Sequence, residues 1–352
     1  MYRSLAGSKA VAAIFVVLFH LGGTIASEKY FGIAAFSVPF KFGSAGVEFF
    51  FVLSGFFIYF AHCNDIFQPK KLVNYVKKRL IRIFPAYWIV FLLVYFLAML
   101  FDSLKHTVPH DAFVLLKSLL LLPQDKTLFG SSGTPVITVA WTLQYEIFFY
   151  LLFAVLILSK WLSVIGLVAL LFIYANNDNS SLLPLSFFAL EYLSLFVMGV
   201  LVAMVCKLKK IVIDYPFFYL FVGALIFSIV ALDVVMRADI LINERTFLYG
   251  FASSLIIFGL VQGENKDQII FKHKWMQILG DSSYALYLIH YPLISLFCKL
   301  ALAIRLNNFG VLGAAITYFS TFISCLIISI IFHLKLEKPI LEYFRSKIVK
   351  PI

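Results

Sequence analysis

The chain has 352 residues, of which 62% are hydrophobic and 13% charged, and its mean hydropathy is +0.97. Soluble domains carry about half apolar and about a quarter charged residues, so a soluble enzyme is excluded and a polytopic membrane protein is left. The formal net charge of +11 could suggest nucleic acid, but the basic residues cluster in alternate loops between apolar runs, a membrane-topology pattern that argues against such a partner.

Each crossing takes about 20 apolar residues, and about ten runs of that kind can be placed along the chain. They lie near 10–26, 43–61, 84–101, 138–158, 161–175, 186–205, 216–235, 246–262, 277–303 and 311–334. These spans use most of the chain and leave no room for a soluble catalytic domain, so any chemistry must sit within the helices. The expectation is an all-α, polytopic transmembrane helical bundle forming one domain over residues 1–352. With the N-terminus inside, Arg3, Lys70, Lys71, Lys77, Lys78, Arg79, Arg82, Lys335, Lys338, Arg345 and Lys347 share one side. That asymmetry places both termini in the cytoplasm.

The first run has Lys9 and His20 at its two ends. Eleven residues at about 100° each bring a helix to within about 20° of its starting direction, so the ammonium and the imidazole share one stripe about 16 Å apart along the axis. Ionisable groups at that depth are expensive in hydrocarbon and mark a pathway or a reaction centre. A secretory-signal reading, with Ala26-Ser27 as the cleavage point, would remove that stripe. In the second run Glu48 sits a few residues inside the outer end. Ser54-Gly55 reads first as a close helix contact of small residues and second as a site lining by Ser54.

The basic segment Gln68 to Arg82 is expected to run along the interface as a helix before the third span begins. Arg79 and Arg82, one turn apart, can grip phosphate oxygens as bidentate donors, or serve only as positive-inside anchors. The long external segment from Asp102 to Thr138, with its Gly130-Ser131-Ser132-Gly133 turn around the apolar stretch Ala112 to Leu122, is expected to form a partly re-entrant lid.

Glu146 in the fourth run is as deep from the outer end as His20 and Glu48. A carboxylate beside an imidazole is what a general base needs; the bland alternative is that each glutamate only hydrogen-bonds a neighbouring helix. In the ninth run Ser283, Tyr287 and His290 fall at i, i+4 and i+7, a polar stripe that faces protein or a cavity. His290 is either a packing histidine or a residue that touches substrate. Cys63, Cys206, Cys298 and Cys325 have no CxxC spacing, so neither a disulfide framework nor a metal site is expected.

Several of these segments resemble the membrane acyltransferase-3 family, integral-membrane O-acyltransferases of bacterial surface polysaccharides. Lys9 with His20 is similar to its basic-x10-His motif, Phe50 to Gly55 to its FFxxSG, and Arg79 with Arg82 to its RxxR. Trp141 to Glu146 resembles its tryptophan-to-glutamate segment, Ser283 to Tyr287 with His290 its SYxLY segment, and Glu337-Lys338-Pro339 its Glu-x-Pro. The chain departs from the pattern with Lys9 for the usual Arg, Glu48 for the usual Asp, and Gln144-Tyr145 within the fourth-run motif.

The resemblance implies transfer of an acyl group, most often acetyl, from cytoplasmic acetyl-CoA or another acyl-CoA to a sugar hydroxyl outside the membrane. The acceptor would be a polysaccharide or lipid-linked glycan, and the location a bacterial cytoplasmic membrane. On this reading Lys9, Arg79 and Arg82 hold the CoA phosphates, and His20, oriented by Glu146 or Glu48, takes the hydroxyl proton, while Ser54, Tyr287 and His290 line the substrate. The rival is a transporter or flippase of a lipid-linked sugar, in which the same residues line a translocation path.

Overall fold

In hydrocarbon every backbone N–H and C=O must find a partner within its own segment, so runs this apolar fold as helices. The structure, a computed structural model, describes residues 2–124, 133–175, 190–208 and 214–348, and among them every regular element is helical. Residues 130–132 of the glycine-serine turn and the polar loop 176–181 lie outside the described residues.

The helices are α1 (Arg3–Ala26), α2 (Gly46–His62), α3 (Leu72–Leu100), α4 (Asp102–Lys105), α5 (Ala112–Leu119), α6 (Trp141–Leu158) and α7 (Lys160–Ala175). They continue with α8 (Leu190–Lys207), α9 (Pro216–Met236), α10 (Arg245–Glu264), α11 (Lys274–Asp281), α12 (Ser283–Ala303), α13 (Gly310–Phe332) and α14 (Lys338–Ile348). Eight helical stretches among the described residues are long and apolar enough to cross a membrane. The described residues of the two other expected runs are helical as well: α7 has 16 residues and α8 has 18. The chain is an all-α, multi-pass protein.

The chain divides into two compact units, residues 1–60 with 194–334 and residues 61–193 with 335–352. In the first unit α1 is the hub, packing on α10, α11, α12 and α13. Its buried stripe, Ala10, Ala13, Val17, Leu21 and Ile25, meets Leu286, Ile294, Cys298 and Tyr318 in one apolar cluster. Glu264 at the end of α10 accepts the free N–H groups of Arg3 and Ser4, both at 2.7 Å, and so supplies the cap that the start of α1 lacks. The two-signed loop after α9 is a clamp: Asp233 accepts from the N–H of Ile240 at 3.0 Å and from Arg245 at 2.8 Å, and Arg245 also donates to Asp239 at 2.7 Å. The run expected over 277–303 is two helices, broken at Ser282 (φ −83°, ψ 4°), where Gly280 presses against the carbonyl of Ala6.

In the second unit the basic segment does not form a separate interfacial helix. After a 3-10 turn over Pro69–Lys71 it is, from Leu72 on, the first part of α3, which continues through Pro85 to Leu100. The reason is a single buried stripe, Tyr75, Ile83, Tyr87, Val90 and Phe91, that runs past the proline without a change of face; one lost i to i−4 hydrogen bond does not outweigh that packing. Within the long segment between α3 and α6, Asp111 caps α5 by accepting from the N–H of Val114 at 2.8 Å. Tyr87 donates to the carbonyl of Ser118 at 2.7 Å and Trp88 to that of Leu119 at 2.9 Å, so α5 lies alongside the middle of α3 rather than beyond its end.

Candidate functional site

The first unit brings together side chains from α1, α2 and α12. Lys9 is buried, at 7% exposure, on the stripe that it shares with half-buried His20. The His20 ring lies between aromatic neighbours: it meets Tyr291 edge to face at 5.3 Å between centres, and its centre is 5.3 Å from that of His290, with the planes tilted by 41°. Among the described residues no hydrogen bond reaches either nitrogen of this ring. Tyr287 stands 5.7 Å from His290 and 6.4 Å from Phe50 of α2.

His290 is fully buried, and its Nδ1 lies 2.8 Å from the carbonyl oxygen of Tyr287 and 3.1 Å from that of Leu286. Carbonyls only accept, so Nδ1 carries the hydrogen and, in the neutral ring, Nε2 bears the lone pair. That Nε2 is buried and has no partner among the described residues.

Glu48 lies in the first turn of α2 and within electrostatic range of Tyr249 of α10. Ser54 precedes Gly55, whose Cα face is pressed against the carbonyl of Phe196 in α8, so the small-residue contact expected there is present. Tyr291 was missed by the sequence reading, because the polar stripe was followed only as far as its neighbour His290.

The second unit gathers Arg79, Arg82 and Glu146. The guanidinium of Arg79 lies over the rings of Tyr75 and Tyr150, 5.8 Å and 5.5 Å from their centres. Its Nη2 donates to Nε2 of His62 at 2.8 Å, and Nδ1 of His62 lies 2.7 Å from Oδ2 of Asp65. A guanidinium has no acceptor, so His62 accepts at Nε2 and donates through Nδ1–H to the carboxylate. The result is an Asp65, His62, Arg79 chain that fixes the orientation of the arginine. Arg79 Nε stays buried with no partner among the described residues.

Tyr150, whose backbone carbonyl accepts from Tyr75 at 3.0 Å, donates its hydroxyl to Oε1 of Glu146. Glu146 and Arg79, which span counting puts at opposite ends of the membrane, therefore meet on one tyrosine. The physical reason is the continuity of α3, which carries the arginines up beside the middle of α6. Neither His62 nor Asp65 stood out in the sequence. The available signal was an acid three residues after a histidine at the end of an apolar run.

The sequence model of the acyltransferase-3 family, described as an acyltransferase domain, matches residues 2–334. The exopolysaccharide production protein ExoZ of Rhizobium meliloti is 28% identical over 319 residues, which cover 88% of this chain and 92% of that protein. A putative O-acetyltransferase of Staphylococcus aureus (strain COL) is 24% identical over 320 residues, and the O-acetyltransferase OatA of Staphylococcus aureus (strain NCTC 8325) is 23% identical over 328. These two alignments cover 83% and 82% of this chain but only 50% of each relative. No solved structure matches the chain. With the match running through nearly the whole sequence and over every helix that carries a candidate residue, the chain belongs to the membrane acyltransferase-3 family.

Proposed function

We propose that this membrane acyltransferase moves an acyl group, acetyl in the first instance, from cytoplasmic acyl-CoA to a hydroxyl of an extracytoplasmic polysaccharide or lipid-linked glycan. Its place is a bacterial cytoplasmic membrane, with both termini inside. The observation that carries the reading is the imidazole of His20, held on a membrane-spanning helix among aromatic rings with no hydrogen bond to its nitrogens among the described residues. An imidazole kept in that state, in a protein of this family, suits a general base.

In the step assigned to it, one nitrogen of His20 removes the proton of the acceptor hydroxyl while that oxygen bonds to the thioester carbonyl carbon. The carbon–sulfur bond then breaks, and the thiolate leaves with the proton returned from the imidazolium. Glu48, in the same unit as His20, is the carboxylate assigned to favour the imidazolium. Ser54 and Tyr287 are assigned to the lining. Arg79 and Arg82 of the second unit are assigned to the phosphates of the donor, and Arg79 is the better prepared of the two: its fork is oriented by His62, and Nε still has a bond to give. Glu146 is assigned to the arginine group through Tyr150.

Purified protein in nanodiscs, given acetyl-CoA labelled in the acetyl group and candidate glycans, should move label onto sugar. A transporter would leave the label on CoA, and that outcome would reject the proposal. Arg79→Lys keeps the charge but loses the fork that bonds His62. The expected result is a rise of about tenfold in the KM for the acyl donor with a smaller change in kcat, since each lost charge-assisted hydrogen bond is worth roughly 1.5–3 kcal/mol. Initial rates against acyl-CoA concentration check it, and an unchanged KM counts against the phosphate grip.

A further inference from the structure

A histidine buried for packing normally has both ring nitrogens satisfied, since an orphaned polar atom in the interior costs free energy. His290 is satisfied on one side only. Two carbonyls of its own helix hold Nδ1–H, and this anchor points the Nε2 lone pair away from them, with nothing to accept from among the described residues. The ring beside it is His20, 5.3 Å away between centres. An imidazole extends a little over 1 Å from its centre, so ring atoms turned toward each other across this separation would stand about 3 Å apart, which is hydrogen-bond distance. The χ2 torsion of histidine is a broad one, so a modest turn of the His20 ring aims one of its nitrogens at Nε2.

We infer that His290 is a positioning residue for the transfer reaction, whose Nε2 accepts a hydrogen bond from the N–H of His20. This rests on the reading of His20 as the base. The bond settles the tautomer of His20: the nitrogen facing His290 carries the hydrogen, and the other is left bare for the acceptor hydroxyl. When that nitrogen takes the hydroxyl proton, the positive charge formed on His20 is shared along the bond to Nε2 of His290. When the thiolate leaves it recovers the proton from the same nitrogen of His20, and the pair returns to its starting state with no net change in protonation. The backbone anchor matters here because a histidine free to rotate could offer Nδ1–H to His20 instead, which would repel the N–H it is meant to accept.

Two variants separate the anchor from the acceptor. Asparagine reaches only as far as Nδ1, so His290→Asn keeps a donor for the Leu286 and Tyr287 carbonyls and deletes the acceptor. Glutamine carries its amide to the Nε2 position, so His290→Gln keeps an acceptor facing His20. The expected result is a fall in kcat of about 100-fold for His290→Asn, with donor KM changed by less than about threefold, and recovery to within about tenfold of wild type for His290→Gln. Both are compared as monodisperse protein in nanodiscs with labelled acetyl-CoA. Two results would overturn the inference: His290→Asn as fast as wild type, or His290→Gln as slow as His290→Asn although both fold. His20→Ala in the same assay keeps the two ideas apart. If it is inactive while His290→Asn is fully active, only the role of His290 falls; if it is active, the base assignment itself falls.

Discussion

His20→Ala should reduce acyl transfer by about 1,000-fold or more and leave the protein folded, because a general base in this position contributes roughly 10²–10⁴ in rate. The structural cost is small by comparison. The ring is half-buried and its neighbours are Phe19, Tyr291 and His290, contacts of the kind worth about 0.5–1.5 kcal/mol each beyond area burial. The helix around it is held by other means: the Ala10 to Ile25 stripe in the apolar core, and Glu264 capping its start. Purified variant and wild type should therefore elute alike from a sizing column and differ only in label moved from acetyl-CoA to glycan. Transfer at even a tenth of the wild-type rate would remove His20 from the chemistry.

The parts of the fold that hydrocarbon dictates were legible without coordinates. Where the backbone has no water to bond to, length and hydropathy settle the element, and the described residues of the expected spans are almost all helical. Boundaries were less legible where side-chain packing decides them. The charges of 70–82 look like an interfacial segment until the burial of Tyr75, Ile83 and Tyr87 shows one continuous face. Ser282 breaks a run that hydropathy reads as unbroken, because Gly280 must fit against the backbone of α1.

Among the candidate residues, periodicity put Lys9 with His20 and Tyr287 with His290, each pair on one helix. It could not put His20 next to His290, since that pairing joins the first helix to one near the other end of the chain. Counting residues from span ends assigned Glu146 and Arg79 different depths, and the count failed because the helix that carries Arg79 begins at Leu72, well before the apolar run does. The His62–Asp65 spacing was legible but its use was not, for a related reason: its meaning lies in an arginine on the following helix, and sequence spacing does not report which nitrogen of a histidine is already used.

Gly199→Ala should destabilise the folded protein by about 3 kcal/mol, at the upper end of what overpacking usually costs. The sign is not obvious, since glycine within a helix is worse than alanine by about 0.8–1 kcal/mol, and an exposed substitution would be favourable. Contact geometry decides. A Cβ on Gly199 would lie 1.8 Å from the carbonyl oxygen of Val52 and 2.7 Å from the nitrogen of Phe56, and one on Gly55 would lie 2.0 Å from the carbonyl oxygen of Phe196. All three are backbone atoms of facing helices, which cannot turn aside as a side chain would, so α2 and α8 must separate along their length. Among the described residues Gly166 of α7 has no atom within 4 Å of the Cβ position, and Gly166→Ala is the control in which propensity alone acts.

Thermal unfolding in one detergent should show Gly199→Ala melting below wild type and Gly166→Ala at or above it. Equal shifts in the same direction would mean that the close approach of α2 and α8 carries no energy. The same displacement should reach the chemistry, because α2 is the rod that carries Glu48 and sets Phe50 against Tyr287. Gly199→Ala at a temperature where it remains folded is therefore expected to transfer more slowly than wild type, whereas Gly166→Ala is expected to match it.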